Sequence, residues 1–86
     1  MLNNQQYNKY VLQSGNVSEI HFNLLMEIST IRSEKIKKAL HDYFIRGDSR
    51  INACVRHNVS QGNLSLKIRE IQILSRKVYA LNIYYT

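Results

Sequence analysis

Between Arg50 and Arg69 the side chains are of the kinds that read and hold a nucleic acid. Gln61 and Asn63 carry amides that can pair bidentately with adenine, Ser65 carries a hydroxyl suited to several bases, and Leu66 offers a methyl surface to a thymine methyl. Gly62 between them lets a ligand come close to the backbone. No arginine stands among these foremost positions, so the set leans toward A·T-rich sites. Arg50, Arg56, Lys67 and Arg69 suit phosphate, which supplies affinity and salt dependence rather than sequence choice. Ser60 stands just ahead, where its hydroxyl and the free N–H groups of a helix start can hold a phosphate oxygen.

Other chemistry finds less support. His21, His41 and His57 are far apart with no second ligand cluster, which argues against a metal site. Cys54 falls where a small buried residue is needed, and a free cysteine there acts as a small hydrophobe rather than a nucleophile. The three glycines, Gly15, Gly47 and Gly62, form no phosphate loop. No acid, base and nucleophile are plausibly spaced, so neither an enzyme, a cofactor nor a small-molecule substrate is expected. Tyr79, Tyr84 and Tyr85 suit the end of a core or a subunit interface better than base stacking.

The elements that must position these residues read as helices, because proline is absent and apolar spacing of three and four recurs throughout. Four serines mark helix starts: Ser18 and Ser33, each followed by an acid, then Ser49 and Ser60. Val17 with Phe22, and Val59 with Leu64, have the spacing of hydrophobic staples. The first helix, with Ile20, Phe22, Leu24, Leu25, Met26 and Ile28, is apolar on most of its surface, as in a core or against another subunit. The second presents Ile36, Ala39, Leu40 and Tyr43 on one face and stops at Gly47. The third is short, running from Ser49 to about His57. The fourth carries a stripe through Leu64, Ile68, Ile71, Leu74, Val78, Leu81 and Tyr85. Its first part suits the domain interior and its last part another subunit.

Arg50 to Arg69 then reads as a helix-turn-helix. Ala53 and Cys54 are small where the second helix crosses, Asn58 takes the left-handed turn, Val59 anchors it, and Leu64 and Ile68 point back to the core. The motif's default places the helix opened by Ser60 in the major groove of double-stranded DNA, with minor-groove and shape readout of A·T tracts as the alternative. His57 and Lys67 depart from the usual pattern, since both positions are commonly apolar, and Lys67 must extend its head to water or phosphate. The fold class expected is all-α: a small domain of about four helices with a helix-turn-helix and a long C-terminal helix.

Composition is consistent with this. The formal net charge is +6, and residues 32–86 hold eleven Lys and Arg against four acids. Such a basic half favours a polyanion. One cysteine excludes an intrachain disulfide and fits a reducing compartment. The apolar stretch from Phe22 to Ile31 is broken by Asn23 and Glu27 and falls short of a membrane span. Residues 1–16, rich in Asn and Gln, read as a flexible arm, and residues 17–86 as the DNA-binding domain. A chain of 86 residues makes a marginal core alone, and self-association would stabilise it.

Several segments resemble, in order, the PapB-type fimbrial (adhesin biosynthesis) transcription regulators of enteric bacteria. They are Ser18-Glu19-Ile20-His21-Phe22-Asn23-Leu24-Leu25, Ile28-Ser29, Ala39-Leu40-His41-Asp42-Tyr43, Gly47-Asp48-Ser49-Arg50, Cys54, Gly62-Asn63-Leu64-Ser65 and Tyr84-Tyr85. The resemblance implies a cytoplasmic, nucleoid-associated regulator that binds A·T-rich DNA upstream of adhesin genes as a homo-oligomer, activating or repressing with dose. It places the helix-turn-helix on Ser49–Arg69 and DNA contacts among Arg50, Gly62, Asn63 and Ser65. Ile83 stands where a proline is usual. The competing expectation is a helical adaptor that binds another regulator and makes no DNA contact; the apolar first helix and the long final stripe favour it.

Overall fold

The serines expected to start helices all do so, and for one reason: each side-chain oxygen accepts an N–H that the helix's own ladder leaves unpaired. Ser18 takes the N–H of His21, Ser33 that of Ile36, Ser49 that of Asn52 and Ser60 that of Asn63, at 3.1–3.3 Å. The computed structural model describes residues 11–86, and the statements below concern those residues. The helices are α1 (Glu19–Ile28), α2 (Glu34–His41), α3 (Arg50–His57) and α4 (Gln61–Leu81), with a short 3₁₀ turn over Asn82–Tyr84. No strand occurs among the described residues, and no helix there is long and apolar enough to cross a membrane.

The second helix is not uniform. After His41 it widens into a π-helical turn over Asp42–Arg46 and then ends at Gly47, whose φ of 79° is left-handed. The wide turn frees the carbonyl of Phe44, which accepts the N–H of Gly15 at 2.9 Å and of Val17 at 3.2 Å. The Gly15 and Gly47 backbones come so close that a Cβ on Gly15 would sit 3.1 Å from the Gly47 Cα. A side chain at either position would therefore be strained in φ and crowded in space.

Phe44, Leu40, Leu64 and Ile71 are fully buried and centre the core, joined by Phe22 and Leu25 of α1, Ile36 and Ala39 of α2, and Ala53 and Cys54 of α3. The staple residues all reach the core: Val17, Phe22 and Leu64 are buried in it, and Val59 is half-buried against it. The stripe on α4 divides as its length requires. Leu64, Ile68 and Ile71 are buried and Leu74 is half-buried, whereas Leu81 and Tyr85 are exposed.

On α1 only one face is used: Phe22 and Leu25 are buried and Met26 half-buried, while Ile20, Leu24 and Ile28, four residues apart, form an exposed apolar line.

Of the flexible arm expected over residues 1–16, the first ten lie outside the described residues. Residues 11–16 are attached to the domain. The Gln72 side chain accepts the Leu12 N–H at 2.8 Å and donates to the Leu12 carbonyl at 2.9 Å. Ser14 donates to the Tyr43 carbonyl at 2.8 Å.

Candidate nucleic-acid interface

Two helices and a three-residue turn hold the expected site. Asn58 ends α3 in the left-handed conformation, at φ 55° and ψ 51°, and its N–H returns to the Cys54 carbonyl. The N–H of Val59 reaches the same carbonyl at 3.0 Å. Ala53 and Cys54, buried and small, let α4 pass close across α3. Leu64 and Ile68 seat the start of α4 on the core.

With 3.6 residues per turn, anchoring Leu64, Ile68 and Ile71 inward turns the opposite edge outward. Gln61, Gly62, Asn63 and Leu66 are all exposed, Leu66 at 58% of its surface. A Cβ added at Gly62 would meet nothing within 4 Å, so glycine is not demanded there by packing in the free protein. Ser60 is exposed but uses its oxygen as the cap for Asn63.

One flank of this edge carries Ser65 and Arg69. Arg50 reaches it from α3, its guanidinium 5.6 Å from the Tyr43 ring centre and 3.5 Å from the Ser65 hydroxyl, to which it donates. Arg50 and Arg69 line a groove of about 560 Å³ with Arg76 and Gln72, and no acid lines it. On the other flank lies Lys67, whose ammonium is 3.3 Å from both oxygens of Glu70. The head of Lys67 does extend outward, to a carboxylate on its own helix.

The structure brings together nine of the ten residues expected to form the site: Arg50, Ser60, Gln61, Gly62, Asn63, Ser65, Leu66, Lys67 and Arg69. Arg56 lies elsewhere. Its guanidinium donates to Asp42 at 3.0 Å and to Asp48 at 2.7 Å. The same Asp42 oxygen accepts from His57 Nε2 at 2.6 Å. Burial pushes the Asp42 carboxyl up, but the hydrogen bonds and charges of His57 and Arg56 together outweigh it and hold it below the usual aspartate value. This also explains the histidine at a position that is commonly apolar. His57 ties the end of α3 to the buried carboxylate of the π turn.

By its i,i+4 spacing Asp42 is expected to pair with Lys38 away from the apolar face of α2; the structure instead buries it against Arg56 and His57. Local spacing gave no sign of this burial, because Asp42 falls two residues from Leu40 and so off its face of the helix, and a buried acid stays charged only when paired.

The PapB family, described as adhesin biosynthesis transcription regulatory proteins, matches residues 1–85. The chain belongs to this family. Among its relatives, the regulatory protein FanB of Escherichia coli is 45% identical over 73 residues, which cover 85% of this chain and 74% of that protein. The AFA-III adhesin operon regulatory protein of E. coli is 45% identical over 87% of this chain and 74% of its own length. The E. coli pilus-subunit operon regulator PapB is 36% identical over 88% and 73%. The crystal structure of E. coli FocB superimposes with a TM-score of 0.82 at 33% identity, covering 95% of this chain and 93% of that one. PapB-family proteins are transcription regulators of adhesin and fimbrial operons, not enzymes, and the four-helix architecture is shared with FocB.

Proposed function

We propose that this PapB-family regulator acts by binding double-stranded DNA upstream of a fimbrial or adhesin operon. The start of α4 is its helix-turn-helix recognition element. The observation that carries the reading is the edge Gln61, Gly62, Asn63 and Leu66. It is exposed and polar apart from one leucine, and it borders an acid-free groove that Arg50, Arg69 and Arg76 line. In this reading Gln61 and Asn63 pair with adenine, Leu66 meets a thymine methyl, and Gly62 lets the helix backbone approach the bases. Arg50, Arg69 and Lys67 contact phosphate, with Lys67 exchanging Glu70 for it. Ser60 and Ser65 supply hydroxyls at the margin. Arg56 serves the reading indirectly, by fixing the end of α3.

A·T-rich operators follow from the absence of arginine on the edge itself. The protein would act in the cytoplasm, on the nucleoid, as a homo-oligomer. Two apolar surfaces support self-association: the line Ile20, Leu24, Ile28 on α1, and Val78, Leu81 and Tyr85 at the end of α4. They border one another, because His21 of α1 lines a groove with Val78 and Tyr79. Both surfaces are exposed among the described residues, and burying such areas is favourable at about 25 cal/mol per Å².

A gel-shift titration across salt concentrations tests the proposal. Affinity for A·T-rich upstream DNA should fall steeply as salt rises, because each neutralised phosphate releases a counterion. Absence of binding at low salt would remove the DNA reading. The adaptor alternative, which the same exposed apolar surfaces favour, would then stand.

A further inference from the structure

The polar edge of α4 has a second flank, to which the expected site contributes Ser60, Asn63 and Lys67. There a groove of about 450 Å³ runs between the start of α4 and the segment that leads into α2. Arg32, Ser33 and Lys35 form one wall, and Asn58, Ser60 and Lys67 the other. Three cations face the groove, of which Lys67 is already paired with Glu70, and no acid lines it. Apart from the groove of Arg50 and Arg69, two other charged grooves differ. The one of about 680 Å³ between α1 and α2 contains Glu27 and Asp42 beside its lysines, and the one beside Ile28 sets Glu70 against Lys77. Arg32 and Lys35 are exposed, and among the described residues neither makes an ion pair with an acid.

We propose that this groove is a second phosphate-backbone site, in which Arg32 and Lys35 hold one strand of the duplex while Arg50 and Arg69 hold the other. The inference rests on the reading of α4 as the element that enters DNA. Its geometry comes from the helix. Ser60, Asn63 and Lys67 lie on one flank of the exposed edge, Ser65, Arg69 and Gln72 on the opposite flank, and Gly62 and Leu66 between them. A helix with its side chains is about 10–12 Å across and the major groove about 12 Å wide, so an inserted helix has one sugar–phosphate strand along each flank. Acid-free cation grooves on both flanks match two strands of negative charge. Arg32 stands just before α2 and Lys35 in its first turn, outside the paired helices, so periodicity within α3 and α4 gave no sign of them.

Fluorescence anisotropy on short A·T-rich and G·C-rich duplexes tests this with three proteins. They are the wild type, Arg32→Ala with Lys35→Ala, and a control that removes two cations elsewhere, Lys38→Ala with Lys77→Ala. The first double variant should weaken binding to both duplexes and lower the salt slope by about two, while circular dichroism and melting match the wild type. The control should keep the wild-type slope. An unchanged slope in the first variant, or an equal drop in the control, overturns the second site and leaves the recognition edge standing. A wild type that binds neither duplex overturns the regulator reading, and this site with it. Neutral methylphosphonates placed on one strand at a time assign the strands. Arg32→Ala with Lys35→Ala should lose sensitivity on one strand and Arg50→Ala on the other. Loss on the same strand by both overturns the two-strand arrangement.

Discussion

Arg50 and Arg56 belong to one eight-residue helix and end in opposite electrostatic worlds. Arg56 is enclosed by carboxylates, sharing Asp42 with His57 and reaching Asp48 as well. Arg50 stacks on Tyr43 beside an acid-free groove with Arg69. Both are basic residues near the motif, and both suit phosphate by type alone. The difference teaches that charge in this protein is spent in two ways. Behind α3 it closes the fold by pairing, and beside the start of α4 the guanidinium of Arg50 faces a groove that no acid lines.

Removing the charge at the centre of the closed region should have the largest effect. Asp42→Asn should cost about 2 kcal/mol of stability near neutral pH, because charge-assisted hydrogen bonds from His57 and Arg56 are weakened together. A urea melt should show a lower midpoint with an unchanged slope. The pH dependence has a definite sign. Asp42 is held below its ordinary value in the folded state, so its contribution is fully present above the unfolded value of about 4. It is lost as pH falls below that toward the folded value. The difference in stability between wild type and Asp42→Asn should therefore shrink on acidification below about pH 4, and a constant difference would argue against the pairing.

The two arginines give the next largest contrast. Arg56→Ala should cost about 1–2 kcal/mol of stability, since it leaves buried Asp42 with one fewer donor. It should leave the salt slope of DNA binding unchanged. Arg50→Ala should do the reverse, with a small loss of stability, a salt slope lower by about one and affinity roughly fivefold weaker at physiological salt. Paired melts and binding titrations check both. A fall in slope with Arg56→Ala would dissolve the distinction between the two regions.

The smallest effect sharpens the account of the open region. Gly62→Ala should stabilise the fold by about 0.5 kcal/mol, because alanine favours the helix and its methyl enters open space. If α4 approaches bases through its backbone, the same methyl should weaken DNA binding. A variant that is both more stable and binds as well as the wild type would place Gly62 outside the contact.

Local chemistry was legible in the sequence, and tertiary pairing was not. The caps at Ser18, Ser33, Ser49 and Ser60, the left-handed Gly47 and Asn58, and the inward residues Leu64, Ile68 and Ile71 depend on neighbours within a few positions. Spacing therefore carried them. The pairing of Asp42 with His57 spans fifteen residues and needs α3 folded back on the π turn. The turn itself leaves no periodic trace over five residues. Periodicity showed that α1 is apolar almost all round, but not that Phe22 and Leu25 face inward while Leu24 stays exposed. Arg56 was assigned by type because nothing in its local sequence points to Asp42. The clasp of Leu12 by Gln72 joins residues sixty apart, beyond any local pattern.

Amide chemical-shift mapping with an A·T-rich duplex tests the central claim most directly. The largest perturbations should fall on Gln61 to Leu66, smaller ones on Arg50 and Arg69, and almost none on Asp42, Arg56 and His57. Perturbations centred on the paired side of α3, with Gln61 to Leu66 unmoved by bound DNA, would contradict it.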